Sequence, residues 1–192
     1  METWSQREYA DPVPYLRHRA EVIVSLGPRL EPGDRLLDLA CGDGGLADFL
    51  PGIEYLGVDG NPKMVEEARS KGRDIIEADL NDFEPNRPVA ATTIFRAIYY
   101  TRDRREFLRH VGGYTERKLV FDLNPRQYRL DDVLGDLRAT GWPHVALRPF
   151  FVPQTRALPG PVGKALVAAE RSGPFARLAL RYRFTYLVAA SK

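Results

Sequence analysis

Residues Arg35 to Gly45 read RLLDLACGDGG, and the fold turns on them. Leu36, Leu37 and Leu39 make a short apolar run suited to a strand buried on both faces. The run breaks into Ala40-Cys41-Gly42-Asp43-Gly44-Gly45, a turn of small residues, and Leu46 to Leu50 is expected to be the helix that follows. A strand feeding a helix through such a turn is where α/β proteins bind adenine-containing cofactors. Glycine permits the tight turn, and without a Cβ the backbone approaches the ligand closely.

The charges of the turn say more than its glycines. Gly42 to Ala47 satisfies a loose G-x-G-x-x-A pattern, a weak signal alone. Asp38 closes the strand and Asp43 sits inside the turn. A pyrophosphate needs unopposed N–H groups at a helix N-terminus and would meet two carboxylates here. A ligand carrying an ammonium and a sulfonium suits the same charges, which favours S-adenosylmethionine over NAD.

LLDLACGDG resembles the first motif of the class I S-adenosylmethionine-dependent methyltransferases, an acidic residue followed by G-x-G-x-G. Asp38 takes the acidic position, and Ala40, Gly42 and Gly44 take the glycine positions, with Ala40 departing from the pattern. The resemblance implies an α/β, three-layer Rossmann-like fold with a seven-stranded, mostly parallel sheet and an antiparallel last strand. It also implies S-adenosyl-L-methionine as methyl donor, S-adenosyl-L-homocysteine as product, and in-line displacement by an O, N or C atom of the acceptor.

Further site residues follow from the same pattern. The run Tyr55 to Gly60 reads as the second strand, and Asp59 ends it seventeen residues after Gly42 (59 minus 42), near the spacing at which an acid reaches a ribose. The resemblance gives Asp59 the ribose hydroxyls, with Gly60 beside it. Asn61-Pro62 reads as a helix cap and first turn, and Met64 either packs in the core or touches the adenine. Asp74 to Leu80 reads as the third strand, and the resemblance sets Asp79 against the adenine amine and the Leu80 N–H against a ring nitrogen. A plain Asx turn at Asp79 is the alternative. Ala90 to Ala97 is the expected fourth strand; Phe95 and Arg96 fall near the cofactor, and Tyr99 and Tyr100 near the acceptor as an aromatic wall or as ordinary packing.

Composition bounds the rest. With 192 residues, 44% hydrophobic and 28% charged, the chain is expected to form one domain, 1–192, with a core of its own. A net charge of +2 gives no case for nucleic-acid affinity. The single cysteine, Cys41, leaves no internal disulfide or cysteine-rich zinc site. No signal peptide or membrane-length apolar run is read, so a cytoplasmic location is expected. The oligomeric state is left open.

The first 33 residues read as a helix that covers the sheet or acts as a lid, with Tyr9, Tyr15 and Arg19 as lid candidates. Asp103 to Glu106 has capping-box spacing, and the nearby arginines read as a solvated helix face. Asn124, after the expected fifth strand, is a candidate for facing the acceptor. In the tail, His144–Val152 and the alternating Leu180–Tyr186 read as strands around a helix from Val162 to Arg171. The intervening 153–178 is expected to shape the acceptor pocket. None of the three histidines lies at a strand's carboxyl end, so no general base or metal site is read, and the catalytic residue stays unknown. The reading is a methyltransferase with a small-molecule acceptor. A catalytically silent S-adenosylmethionine-binding protein, a polyamine synthase and an NAD-dependent oxidoreductase stand as rivals.

Overall fold

The apolar runs become strands of a single sheet. The computed structural model describes residues 4–179 and 185–192. Strands β1 (Arg35–Leu39), β2 (Glu54–Asp59), β3 (Ile75–Glu77), β4 (Val89–Ile94), β5 (Thr115–Leu123), β6 (His144–Pro149) and β7 (Tyr186–Ser191) pair in the order β3-β2-β1-β4-β5-β7-β6. The pairs from β3 through β5 are parallel, and β7 runs antiparallel between β5 and β6. The α/β fold and its antiparallel last strand are as expected. From β1 the chain builds outward to β2 and β3, then returns to lay β4 on the other edge of β1. A crevice opens at the carboxyl ends of the strands where the winding reverses in this way.

Helices α1 (Trp4–Glu8), α2 (Pro12–Ser25), α3 (Pro62–Ser70), α4 (Arg104–Tyr114), α5 (Leu130–Ala139), α6 (Gly160–Arg171) and α7 (Gly173–Ala179) complete the described chain. Successive side chains of a strand point to opposite faces, and β1 uses both. Leu37 and Leu39 join Phe107, Leu108 and Val111 of α4 and Leu137 of α5 in one core, while Leu36 joins Leu16, Ala20 and Ile23 of α2 in another. The sheet is therefore the middle of three layers. By the same alternation Asp38 shares the α2 side with Leu36. The Asn61 side chain accepts from Lys63 N, and that of Asp103 from Glu106 N, so both expected caps form.

Several boundaries differ from the sequence reading. The turn after β1 leads into a single 3-10 segment, Gly45–Phe49, rather than an α-helix. β6 ends at Pro149, where the proline removes a ladder donor. The tail helix begins at Gly160, and α7 follows it after Ser172. The last strand among the described residues is Tyr186–Ser191, buried along its whole length; of the expected strand over 180–186, residues 180–184 lie outside the described residues. Buried between two neighbours, a run such as Leu187 to Ala190 needs no polar alternation. Buried Glu170 holds α6 in place, 2.6 Å from His18 Nε2 of α2 and accepting from Phe151 N at 2.6 Å.

Candidate functional site

The turn after β1 is left-handed at each position of its motif: φ is 55° at Ala40, 61° at Gly42 and 67° at Gly44. Gly42 and Gly44 adopt this freely, whereas Ala40 carries a Cβ in a region that L-residues disfavour. Close approach adds a second demand. A Cβ on Gly42 would lie 3.1 Å from the Trp4 ring, and one on Gly44 only 2.7 Å from Ile75 Cδ1. Asp59 braces the turn from β2, its Oδ2 accepting from Gly42 N at 2.7 Å and its Oδ1 from Asn61 N at 2.8 Å. Burial raises its pKa, and the two N–H donors oppose that rise. One carboxylate thus ties the β1 turn to the start of α3, with lone pairs left to face the crevice.

Beneath the turn lies a recess of about 40 Å³ lined by Tyr9, Arg19, Asp38, Phe95 and others. Asp38 is buried and accepts from Tyr55 Oη and Thr93 Oγ1, each at 2.7 Å. Desolvation lifts its pKa to about 6 against those two hydroxyls and Arg19. Arg19 is 5% exposed, with its guanidinium carbon 4.4 Å from the Phe95 ring centroid and 4.7 Å from that of Tyr15. Burial alone would lower its pKa, yet Tyr15, Tyr9, Asp122 and Asp38 hold it above the ordinary value. Its Nη2 donates to Tyr15 Oη, but Nε has no partner among the described residues. An unpartnered buried donor of this kind demands an explanation.

Above the turn, a cleft of about 860 Å³ follows the carboxyl ends of β1 to β4. Asp59, Met64, Asp79 and Leu80 line one end, and Trp4, Glu8, Arg96, Tyr99 and Tyr100 the other. Trp4, Ala40, Phe95 and Arg96 line both cavities and mark their junction. Helix α1 straps the turn from outside. Ser5 Oγ donates to Asp43 Oδ1 at 2.5 Å, Trp4 N donates to the Glu67 carboxylate, and Arg7 pairs with Glu67 at 3.2 Å.

Residues 37–114 match the model of a family described as a methyltransferase domain. The chain is 32% identical over 108 residues to a trans-aconitate 2-methyltransferase of Rhodococcus jostii, covering 52% of this chain and 42% of that protein. It therefore spans about two fifths of the length of this curated relative. In structure it is similar to an S-adenosylmethionine-dependent methyltransferase of Archaeoglobus fulgidus (TM-score 0.63, 17% identity, 92% of this chain and 93% of that one). It is also similar to the magnesium protoporphyrin IX methyltransferase of Synechocystis with bound S-adenosylmethionine (TM-score 0.60, 15% identity, 100% of this chain and 85% of that one). The fold is that of the class I S-adenosylmethionine-dependent methyltransferases.

On this methyltransferase fold, Ala40, Gly42, Asp59, Gly60, Met64, Asp79, Leu80, Phe95, Arg96, Tyr99 and Tyr100 all come together around the cleft. Asp38 lines the recess and Gly44 lies behind the turn. Asp79 is an Asx turn as well as a cleft residue. Its Oδ1 accepts from Asn81 N at 2.8 Å and its Oδ2 pairs with Arg102 at 2.7 Å, lowering its pKa. Asp43 faces away from the ligand side. It is 1% exposed, accepts from Ser5 and Gly45, and has Arg73 nearby at 3.9 Å, so its charge locks α1 rather than serving the cleft. Tyr9 lines the recess, but Tyr15 lies in the interior, between the Tyr9 ring and Phe150, and walls neither cavity. Asn124 caps its own turn through Arg126 N and lies off the cleft. No described residue of 153–178 lines the cleft.

Two participants escaped the sequence reading. Glu8 reaches the cleft from α1, and nothing in its local sequence marks it. Asp122, near the end of β5, accepts from Arg96 N at 2.6 Å, and burial raises its pKa while Arg19 opposes. Its signal was present: like Asp38 and Asp59, it is an acid at or near the carboxyl end of an apolar strand.

Proposed function

We propose that the chain is an S-adenosylmethionine-dependent methyltransferase acting on a small-molecule acceptor. The observation that carries this is the recess, where Asp38 and the unpartnered Nε of Arg19 offer opposite charges at the inner end of a cleft braced by Asp59. An amino-acid end bearing ammonium and carboxylate fits that pair, and a ribose diol fits the free lone pairs of Asp59. In the cleft itself a dinucleotide pyrophosphate would face Asp59, with no cation among the described lining residues to meet it but Arg96.

Bound S-adenosylmethionine supplies a methyl carbon already attached to a sulfonium leaving group. In this assignment Arg19 and Asp38 hold the amino-acid end, Asp59 holds the ribose, and Asp79 with Leu80 N–H orients the adenine. The junction of recess and cleft then sets the transferring carbon between Phe95, Arg96 and the tyrosine pair. Placing acceptor and methyl donor together, away from bulk water, supplies much of the rate enhancement for such a displacement. No histidine is among the described residues lining the cleft, so an acceptor proton not lost in advance would pass to solvent or to one of the lining carboxylates. The trans-aconitate methyltransferase relative favours a small acceptor over a macromolecule.

Titration calorimetry with S-adenosylhomocysteine, S-adenosylmethionine and NAD tests the cofactor. Binding of the first two with no heat from NAD is expected, and the reverse pattern overturns the assignment. Methyl transfer from labelled donor into a metabolite extract then separates enzyme from silent binder, since a binder alone labels nothing.

A further inference from the structure

Resting on the methyltransferase reading, we propose that the acceptor carries a carboxylate, that Arg96 grips it, and that Glu8 is the built-in stand-in the acceptor displaces. Arg96 is the one cationic side chain among the described residues lining the cleft, and it stands at the junction with the recess. Its backbone is left-handed, with φ 54°. Such a conformation is unfavourable for a non-glycine residue and persists only where the surroundings impose it. The buried Asp122 carboxylate does so by accepting from Arg96 N at 2.6 Å. The strained backbone aims the side chain into the cleft.

The guanidinium that arrives there is under-used. Its Nη1 is shielded from solvent and has no hydrogen-bond partner among the described residues. The nearest anion is Glu8 Oε2, at 3.7 Å, beyond hydrogen-bonding distance. The Trp4 ring, 5.8 Å from the guanidinium carbon, closes the other side. An arginine fork is built for two-point contact with a carboxylate. Glu8, on the short helix α1 and half exposed, offers a carboxylate at the right place but the wrong range. A free acid entering beside Tyr99 and Tyr100 would make the contact that Glu8 misses. Were Glu8 instead the recognising group, the site would take a cation, and its removal would weaken binding.

The test is calorimetry on the protein saturated with S-adenosylhomocysteine, using trans-aconitate, fumarate and cinnamate against fumaramide, cinnamamide and tyramine. The acids are expected to bind and the amides and amine to give no signal. Glu8→Gln tightens acid binding about threefold, the range of an exposed ion pair removed from competition. Arg96→Met weakens it about 10–100-fold, as expected for a lost charge-assisted contact. The proposal is overturned if no acid binds, if amides bind as well as acids, if Glu8→Gln weakens acid binding, or if Arg96→Met reduces S-adenosylhomocysteine affinity while acids still bind. Because Glu8→Gln alters an exposed side chain, it remains informative should the Arg96 variant fail to fold. Failure of the wild-type protein to bind S-adenosylhomocysteine, by contrast, removes the underlying methyltransferase reading itself.

Discussion

Replacing Asp38 with asparagine should stabilise the protein and weaken its cofactor affinity in the same variant. The carboxylate is buried on the α2 side of the sheet, and its pKa stands at about 6 against an ordinary 3.8. The folded state therefore holds a proton more tightly than the unfolded chain does. Asp38 contributes its stabilisation fully below about pH 4 and loses it as pH rises through about 6. Linkage converts that difference into about 3 kcal/mol of penalty for the ionised, folded form. Asparagine copies the neutral carboxyl in shape. The Tyr55 and Thr93 hydroxyls, which now donate to Asp38, can rotate to accept from its amide. At pH 8 the Asp38→Asn variant should gain about 2–3 kcal/mol, or roughly 4–10 °C in Tm for a chain of this size. At pH 4.5 the advantage should be smaller by about 2 kcal/mol. Affinity for S-adenosylmethionine should fall about 10–100-fold at pH 8, because the ammonium loses an ionised partner. Urea unfolding at both pH values and calorimetry at the higher one measure all three quantities. A variant less stable than wild type at pH 8, a gain that does not shrink on acidification, or unchanged affinity refutes the reasoning.

Ala40→Gly should raise stability by up to about 1 kcal/mol, because it relieves a left-handed alanine at φ 55°; urea unfolding reads the gain. Gly44→Ala should do the opposite, since its Cβ would stand 2.7 Å from Ile75 Cδ1 at φ 67°; a loss of about 1–3 kcal/mol in urea unfolding free energy is expected. Asp59→Asn replaces one acceptor with an NH2 donor that faces the N–H of Gly42 or Asn61, so S-adenosylhomocysteine affinity should drop about 10–100-fold by calorimetry. Trp142→Ala removes a fully buried ring whose Nε1 donates to the Leu108 carbonyl, and should lose about 3–5 kcal/mol in chemical denaturation.

Much of the cofactor face was legible in the linear chain because it is built from local devices. A strand that ends in an acid, a turn that needs left-handed residues and a proline-started helix each declare themselves within a few positions. Asp38, Asp59 and the caps at Asn61 and Asp103 fall in this class. Asp43 misled for a related reason. Its position in the turn was evident, but its side-chain direction depends on Ser5 and Arg73, distant in sequence. Most of β7 escaped the period-2 reading, because alternation marks a half-buried strand and β7 is buried on both faces.

Fold class and the acidic frame of the candidate site were thus determined by the sequence itself, through periodicity and turn chemistry that act over short range. The meeting of Arg19 with Asp38, of Asp122 with Arg96, and of Glu8 with Arg96 was decided only by the tertiary structure. Each of these joins residues distant in the chain, and only the pairing of β4 with β5 and the packing of α1 and α2 over the sheet fix which charges face one another.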